Sequence, residues 1–327
     1  MRLVKFLTSG QRLLGRIGAA LAGVGAVVAL VACGQGGDRA AVENLLSYSL
    51  IITGAQLIDG TGKEPVANTA VYIKDGVIER IDVVEDGRYP TGPNVLDARG
   101  KYLMPGIVDA HTHIDSVGGI ALNEEQSALV REYYPRAFLF NGVTTVINLS
   151  AHVPEALLAL RDSVRRDRTV LLPRIYTGGT NYTVNGGWSG RHGGAVGSVE
   201  EIEQRLSQQS EQGFDLVKVI NEDGLGDEPV FEVIPDGYLE TIGTISRKYE
   251  LPVFIHATDA EEYERSIAVR QRGIVHGLFT PVEQDGPLIP ALRENDIFVV
   301  PTIVLFESFA RFRDQPELLK EPLLAAS

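Results

Sequence analysis

The chain has 327 residues, 44% of them hydrophobic, and a formal net charge of -13 at pH 7. That length suffices for one large domain with a smaller companion, and the acidic balance argues against a basic surface that grips nucleic-acid phosphates. A single cysteine excludes an internal disulfide.

The first 33 residues open with Arg2, Lys5, Arg12 and Arg16 and run into an apolar, Gly/Ala-rich segment from Ile17 to Ala32. A positive start, a short apolar centre and small residues at its end follow the order of a secretory signal peptide. The apolar segment falls short of the ~20 residues that a membrane-spanning helix needs. Leu30-Val31-Ala32-Cys33 resembles a bacterial lipobox, which implies cleavage before Cys33 and acylation of that cysteine. Acyl chains would tether the chain to a membrane it does not span, on the periplasm-facing side of the cell envelope. Residues 34–48, with Gly and charge near their start, read as a flexible tether.

From 49 to 102 the pattern is β. Leu50 to Thr53, Thr69 to Lys74 and Val77 to Val83 are short β-branched runs. Asp75-Gly76 between the last two predicts a tight hairpin, because Gly accepts the positive φ of the turn. This portion is expected to form a small N-terminal β-sandwich layer, with no residue placed for acid–base or metal chemistry.

From 103 to 327 short apolar runs alternate with amphipathic stretches. Strands are expected at Gly106 to Val108, Val143 to Leu149, Leu171 to Thr177, Phe214 to Ile220, Pro252 to His256, Ile274 to His276 and Ile297 to Pro301. Helices are expected from Pro154 to Arg166, from the capping box opened by Ser198 to Gly213, from Tyr238 to Tyr249, after the caps Asp259 and Glu262, and from Pro287 to Glu294. Strands buried on both faces read as continuous apolar runs. The alternation predicts an α/β fold with a parallel sheet, of the (β/α)8 TIM-type barrel class, in which seven strands are found and an eighth is not. A doubly wound open sheet is the alternative, disfavoured because no Gly-rich phosphate loop follows a strand.

The segment from Lys101 to Asp115 reads KYLMPGIVDAHTHID. On a strand, residues two apart share a face, so His111 and His113 project together and can grip one metal ion. Later strands end in Lys218 (DLVKVI), His256 (PVFIHA) and His276 (GIVHG), at the end of the sheet where barrels of this kind carry chemistry. Lys218 shares a face with Leu216 and Ile220, so it points inward. An ammonium has no lone pair and is costly to bury alone, so Lys218 is expected to be paired, deprotonated or carboxylated to an anionic oxygen ligand.

These residues together resemble the amidohydrolase superfamily of metal-dependent hydrolases, in particular its imidazolonepropionase-like members and its lysine-containing dipeptidases that cleave Xaa-Pro or other dipeptides. The likeness rests on Met104-Pro105-Gly106, Asp109, His111-Thr112-His113, Lys218, His256 and His276 in that order. It implies that His111 and His113 bind a more buried metal, that His256 and His276 bind a more exposed one, and that carboxylated Lys218 bridges them. The implied metals are two Zn²⁺, with Mn²⁺ or Co²⁺ as substitutes. The implied reaction is attack of metal-activated hydroxide on an amide or peptide C–N bond of a small molecule.

The superfamily also has an aspartate at the end of strand eight, which ligates metal and shuttles protons. Asp285, Asp296 and Asp314 lie in helical or loop contexts and do not match it, so the sequence reads as a C-terminally truncated member with no assigned catalytic acid–base group. Two further readings stay open: a mononuclear deaminase or cyclic-amide hydrolase with Lys218 as a salt-bridge partner, and a non-catalytic lipid-anchored binding protein. A homo-oligomer is compatible with each.

Among residues of lower weight, the glycine-rich loop from Gly178 to Gly197 carries Tyr182 and His192 over the expected site mouth, where both are candidates for substrate contact. His152 reads as a polar residue before a helix start, Asp109 as structural, and Glu222-Asp223 as a solvated loop.

Overall fold

The computed structural model describes residues 45–116, 122–167, 169–190, 193–224, 230–269 and 271–320. The expected signal peptide with Cys33, and His192, lie outside the described residues. The chain divides into two compact units between Pro105 and Gly106.

The first unit is one mixed sheet of β1 (Leu50–Leu57), β2 (Val66–Lys74), β3 (Val77–Val83), β4 (Val95–Asp97) and β5 (Tyr102–Leu103). Its order is β3-β2-β1-β4, with β5 also on β1. The β2–β3 hairpin turns at Asp75 and Gly76, with φ of 51° and 79°, as a two-residue primed turn requires. Burial alternates along β1, and Ile51, Ala70 and Tyr72 form the small core. The expected sandwich is not seen among the described residues: one sheet is present, and Val77, Ile78, Ile81 and Val83 of β3 are exposed.

The second unit alternates strand and helix. Its elements are β6 (Ile107–Thr112), α1 (Glu124–Phe140), β7 (Val143–Asn148), α2 (Pro154–Arg166), β8 (Arg174–Thr177), α3 (Val199–Glu211), β9 (Val217–Ile220) and α4 (Asp236–Lys248), followed by β10 (Val253–His256), α5 (Ala260–Ala268), β11 (Gly273–Val275), α6 (Leu288–Glu294), β12 (Phe298–Val300) and α7 (Ile303–Asp314). The strands form two sheets, β6-β7-β8 and β9-β10-β11-β12, parallel throughout. Gly178 bridges Leu216 in parallel, and Asp215 N donates to Thr177 O at 2.9 Å, so the second sheet continues the first. A closed eight-stranded barrel is not seen: β6 and β12 are outer strands, and no eighth strand follows β12 among the described residues.

Two apolar layers sandwich the strands. Val217, Val219, Val253 and Ile255 pack against Ile202 and Leu206 of α3 and Leu239 and Ile242 of α4. On the opposite face Leu149, Leu216, Phe254 and Val275 form their own cluster. The helices start where local chemistry predicts. Ser198 Oγ accepts from Glu201 N at 3.2 Å, Asp259 and Glu262 make a reciprocal capping box, and Pro154 occupies the first turn of α2.

One expectation fails for a physical reason. The run before the histidine pair is not buried: Ile107 and Val108 are 50% and 56% exposed, because β6 lies at a sheet edge and packs on one neighbour only. The segment from Ile303 forms α7, in which Phe306 meets His276 edge to face with ring centroids 5.6 Å apart.

Candidate metal centre

Strand parity brings the donors to one place. Lys218 pairs in register with Phe254, and His256 with both Ile220 and Val275. The inner face therefore carries Lys218 level with Phe254 and His256 level with Val275, with Leu216 one step below Lys218. The imidazoles follow one another as a chain, with centroid separations of 4.1 Å for His256–His276, 4.9 Å for His276–His111 and 5.3 Å for His111–His113. Lys218 is close enough that its charge disfavours protonation of all four rings. The structure thus gathers all five residues that the sequence singled out.

Contacts from outside the cluster hold three of the rings and the backbone of His111. Asp109 accepts from His111 N at 3.0 Å, which fixes the backbone of the histidine pair and gives Asp109 its structural role. His113 Nδ1 lies 3.2 Å from Ser150 O; as a donor to this carbonyl it leaves Nε2 with a free lone pair. Asn148, fully buried, accepts from Ile114 N at 2.8 Å and donates to Ser150 O at 2.9 Å. Asp115 Oδ2 accepts from the backbone N of His152 and Val153 at 2.7 and 2.9 Å, which fixes the chain just before α2. The His152 side chain itself is exposed.

His276 follows β11 with φ of 83°. Its Nδ1 meets Thr302 Oγ1 at 2.7 Å, and its carbonyl accepts from the hydroxyl of Tyr263 at 2.6 Å. Nε2 of His256 contacts Oε2 of Glu222. This corrects the sequence reading of Glu222 as solvated loop, since the residue is 5% exposed. Strand parity held the clue: positions 218, 220 and 222 share a face, and Glu222 extends that row past the end of β9.

Burial holds the pKa of all four imidazoles below the ordinary histidine value, and the Lys218 charge adds to it. They are neutral bases with lone pairs, the state in which histidine ligates metals. Burial likewise pushes the Lys218 ammonium down to about 7, with Glu222 opposing. Lys218 Nζ and His111 Nδ1 are buried without a hydrogen-bond partner. Orphaned polar atoms at that depth are rare and call for a missing partner, so the donor set fits one or more divalent cations.

Other candidates do not join this cluster. Tyr182, expected at the mouth, is instead 1% exposed in the core, with its hydroxyl donating to Gln209 Oε1 at 2.9 Å; a side chain committed to packing is turned away from any substrate. Asp296 and Asp314 pair with Arg272 and Arg313 at 2.6 and 2.7 Å. Carboxylates of Asp223, Asp259 and Glu262 also lie within 4.8 Å of one another. Glu262 is already occupied there, accepting from Asp223 N at 2.9 Å and Thr258 N at 2.6 Å, so that group reads as a helix cap.

A sequence profile of the Amidohydrolase family matches residues 102–288, more than half of the chain. An adenine deaminase of Deinococcus deserti is 28% identical over 193 residues, 58% of this chain and 31% of that protein. An uncharacterized protein of Mycobacterium tuberculosis is 40% identical over 76 residues, 23% of this chain. The latter match spans only 12% of the mycobacterial protein, so this chain covers a minor part of the curated relatives it matches. In fold, a crystal structure of a Xaa-Pro dipeptidase with methionine bound in its active site superposes with a TM-score of 0.70 at 20% identity, covering 81% of this chain and 70% of that one.

Proposed function

Because this chain belongs to the amidohydrolase family, we propose that it is a metal-dependent hydrolase of carbon–nitrogen bonds, acting on a small amide or dipeptide, on a barrel-type scaffold. The observation that carries this reading is the convergence of His111, His113, Lys218, His256 and His276, with Lys218 Nζ and His111 Nδ1 buried and unpartnered. The adenine deaminase and the Xaa-Pro dipeptidase to which the chain is similar agree with such chemistry.

His111 and His113 would hold one cation and His256 and His276 a second, with Lys218 between them as a carbamate. Carboxylation forms a bond between the uncharged Lys218 nitrogen and the carbon of CO₂ and releases one proton, converting an orphaned amine into an anionic oxygen ligand. Bound divalent ions such as Zn²⁺ supply Lewis-acid polarisation of a carbonyl and lower the pKa of water toward ~7. The chain's own contribution is orientation. Ser150 O and Thr302 Oγ1 fix the two rings they touch, and the Phe306 ring packs edge to face against His276. Metal content measured together with hydrolysis of a dipeptide panel tests this reading: two ions per chain and metal-dependent turnover support it, and neither leaves a non-catalytic binding protein.

For location, the reading rests on sequence alone: cleavage before Cys33 and its acylation would anchor the chain at the periplasmic face of the envelope. Among the described residues no helix is long and apolar enough to cross a membrane. Fatty-acid labelling that persists in a Cys33→Ala variant would refute the anchor.

A further inference from the structure

We propose that Glu222 is itself a metal ligand, sharing with His256 the cation on the β10–β11 side of the cluster. The inference rests on the metal reading above and deepens it.

Three observations carry it. Glu222 is buried to 5% exposure. Its Oε2 contacts the Nε2 of His256, so a carboxylate oxygen and an imidazole nitrogen are directed at a common point. It also continues the inward-facing row of Lys218 and Ile220, on the same side of the sheet as the other donors. No Lys or Arg forms an ion pair with Glu222 among the described residues; the Lys218 charge acts on it from beyond ion-pair distance, and His256 is its one ion-pair contact. A buried carboxylate with no cation within ion-pair distance is costly unless a positive charge meets it, and a divalent ion between Glu222 and His256 would supply that charge.

The consequence is chemical. Four neutral imidazoles neutralise none of the charge on a divalent pair, and a carbamate on Lys218 contributes only one negative charge. Glu222 adds a second anionic oxygen that requires no CO₂. Oxygen beside nitrogen ligands suits Zn²⁺, Mn²⁺ or Co²⁺, so the His256 side of the centre should load without bicarbonate.

The test uses the full chain, stripped with chelator and reloaded with Zn²⁺ alone or Co²⁺ alone, without bicarbonate. Bound metal is counted per chain, and affinity is read by chelator competition. In Glu222→Ala the His256-side ion should be lost, with affinity falling by more than the 10–100-fold typical of losing an outer-shell partner. The Co²⁺ absorption band should change in shape. Glu222→Gln, which keeps the side chain's volume, should show the same loss while its thermal unfolding stays near that of the parent stripped of metal. Full ion occupancy with an unchanged Co²⁺ band in both variants overturns the assignment and leaves Glu222 as a positioning residue for His256. If the parent chain itself takes up no Zn²⁺ or Co²⁺, the whole metal reading falls and this inference with it; parent loading with unaffected variants removes Glu222 alone.

Discussion

His276 and Thr302 meet at 2.7 Å, Nδ1 to Oγ1, and both occupy left-handed backbone conformations, with φ of 83° and 46°. Each follows the end of a strand, β11 and β12 respectively. Non-glycine residues held there cost roughly 1–3 kcal/mol each and persist only where surrounding contacts over-determine them. Those contacts are present: Tyr263 donates to His276 O at 2.6 Å, and His276 N donates to Val300 O at 2.9 Å. The strain aims the imidazole back toward His111 and His256 instead of along the sheet.

Thr302→Val keeps the volume of the side chain and removes its hydroxyl. The His276 ring then loses the contact that fixes its tautomer and orientation. Metal affinity by chelator competition should fall by about 10–100-fold, while unfolding free energy changes by no more than about 0.5–1.5 kcal/mol. An unchanged affinity would mean that Thr302 does not orient a ligand.

Lys218 supplies a different signature. At 3% exposure, with Nζ unpartnered, its amine costs stability in the metal-free protein. Lys218→Met fills the same space with apolar atoms, and by removing the orphaned group it should raise the unfolding free energy of metal-stripped protein by about 1–3 kcal/mol. The same variant should lose metal. A variant that is less stable without metal would show that Lys218 has a structural partner in solution.

Glu262 gives a pH dependence away from the rings. Burial is the largest influence on its carboxyl and pushes it from 4.5 up to about 7, against backbone hydrogen bonds from Thr258 and Asp223 that favour the anion. Between those two values the folded state binds more protons than the unfolded one, so the stability contributed by this group falls as pH rises from about 4.5 to about 7. Glu262→Gln cannot ionise. In metal-free protein, melting temperatures of parent and variant should therefore shift in favour of the variant as pH rises across that window. A constant difference would remove Glu262 as the titrating group.

Much of this was legible in the sequence because it depends on short-range rules. Asp75-Gly76 announced its hairpin, Ser198 and Asp259 announced their helices, and period-two spacing placed His111 with His113 and aimed Lys218 inward. What escaped depends on tertiary neighbours. Ile107 and Val108 look like core residues until β6 is known to be an edge strand. Tyr182 looks like a lid residue until the loop is seen to tuck its ring beneath α3. Glu222 looks solvated by its acidic neighbours, and only strand parity carried past the end of β9 exposes its burial. Thr302 carries no signal at all, because its role comes from a positive φ that a threonine does not advertise.

The central claim is that five side chains from four strands hold divalent cations. Stripping the full chain with chelator and titrating Zn²⁺ back while counting bound ions tests it most directly. The account predicts that uptake saturates at about two ions per chain, falls on substitution of His111 or His276 by Ala, and restores hydrolysis of an amide or dipeptide bond in proportion to loading. Saturating Zn²⁺ that leaves the parent chain and both variants equally free of bound metal would contradict it.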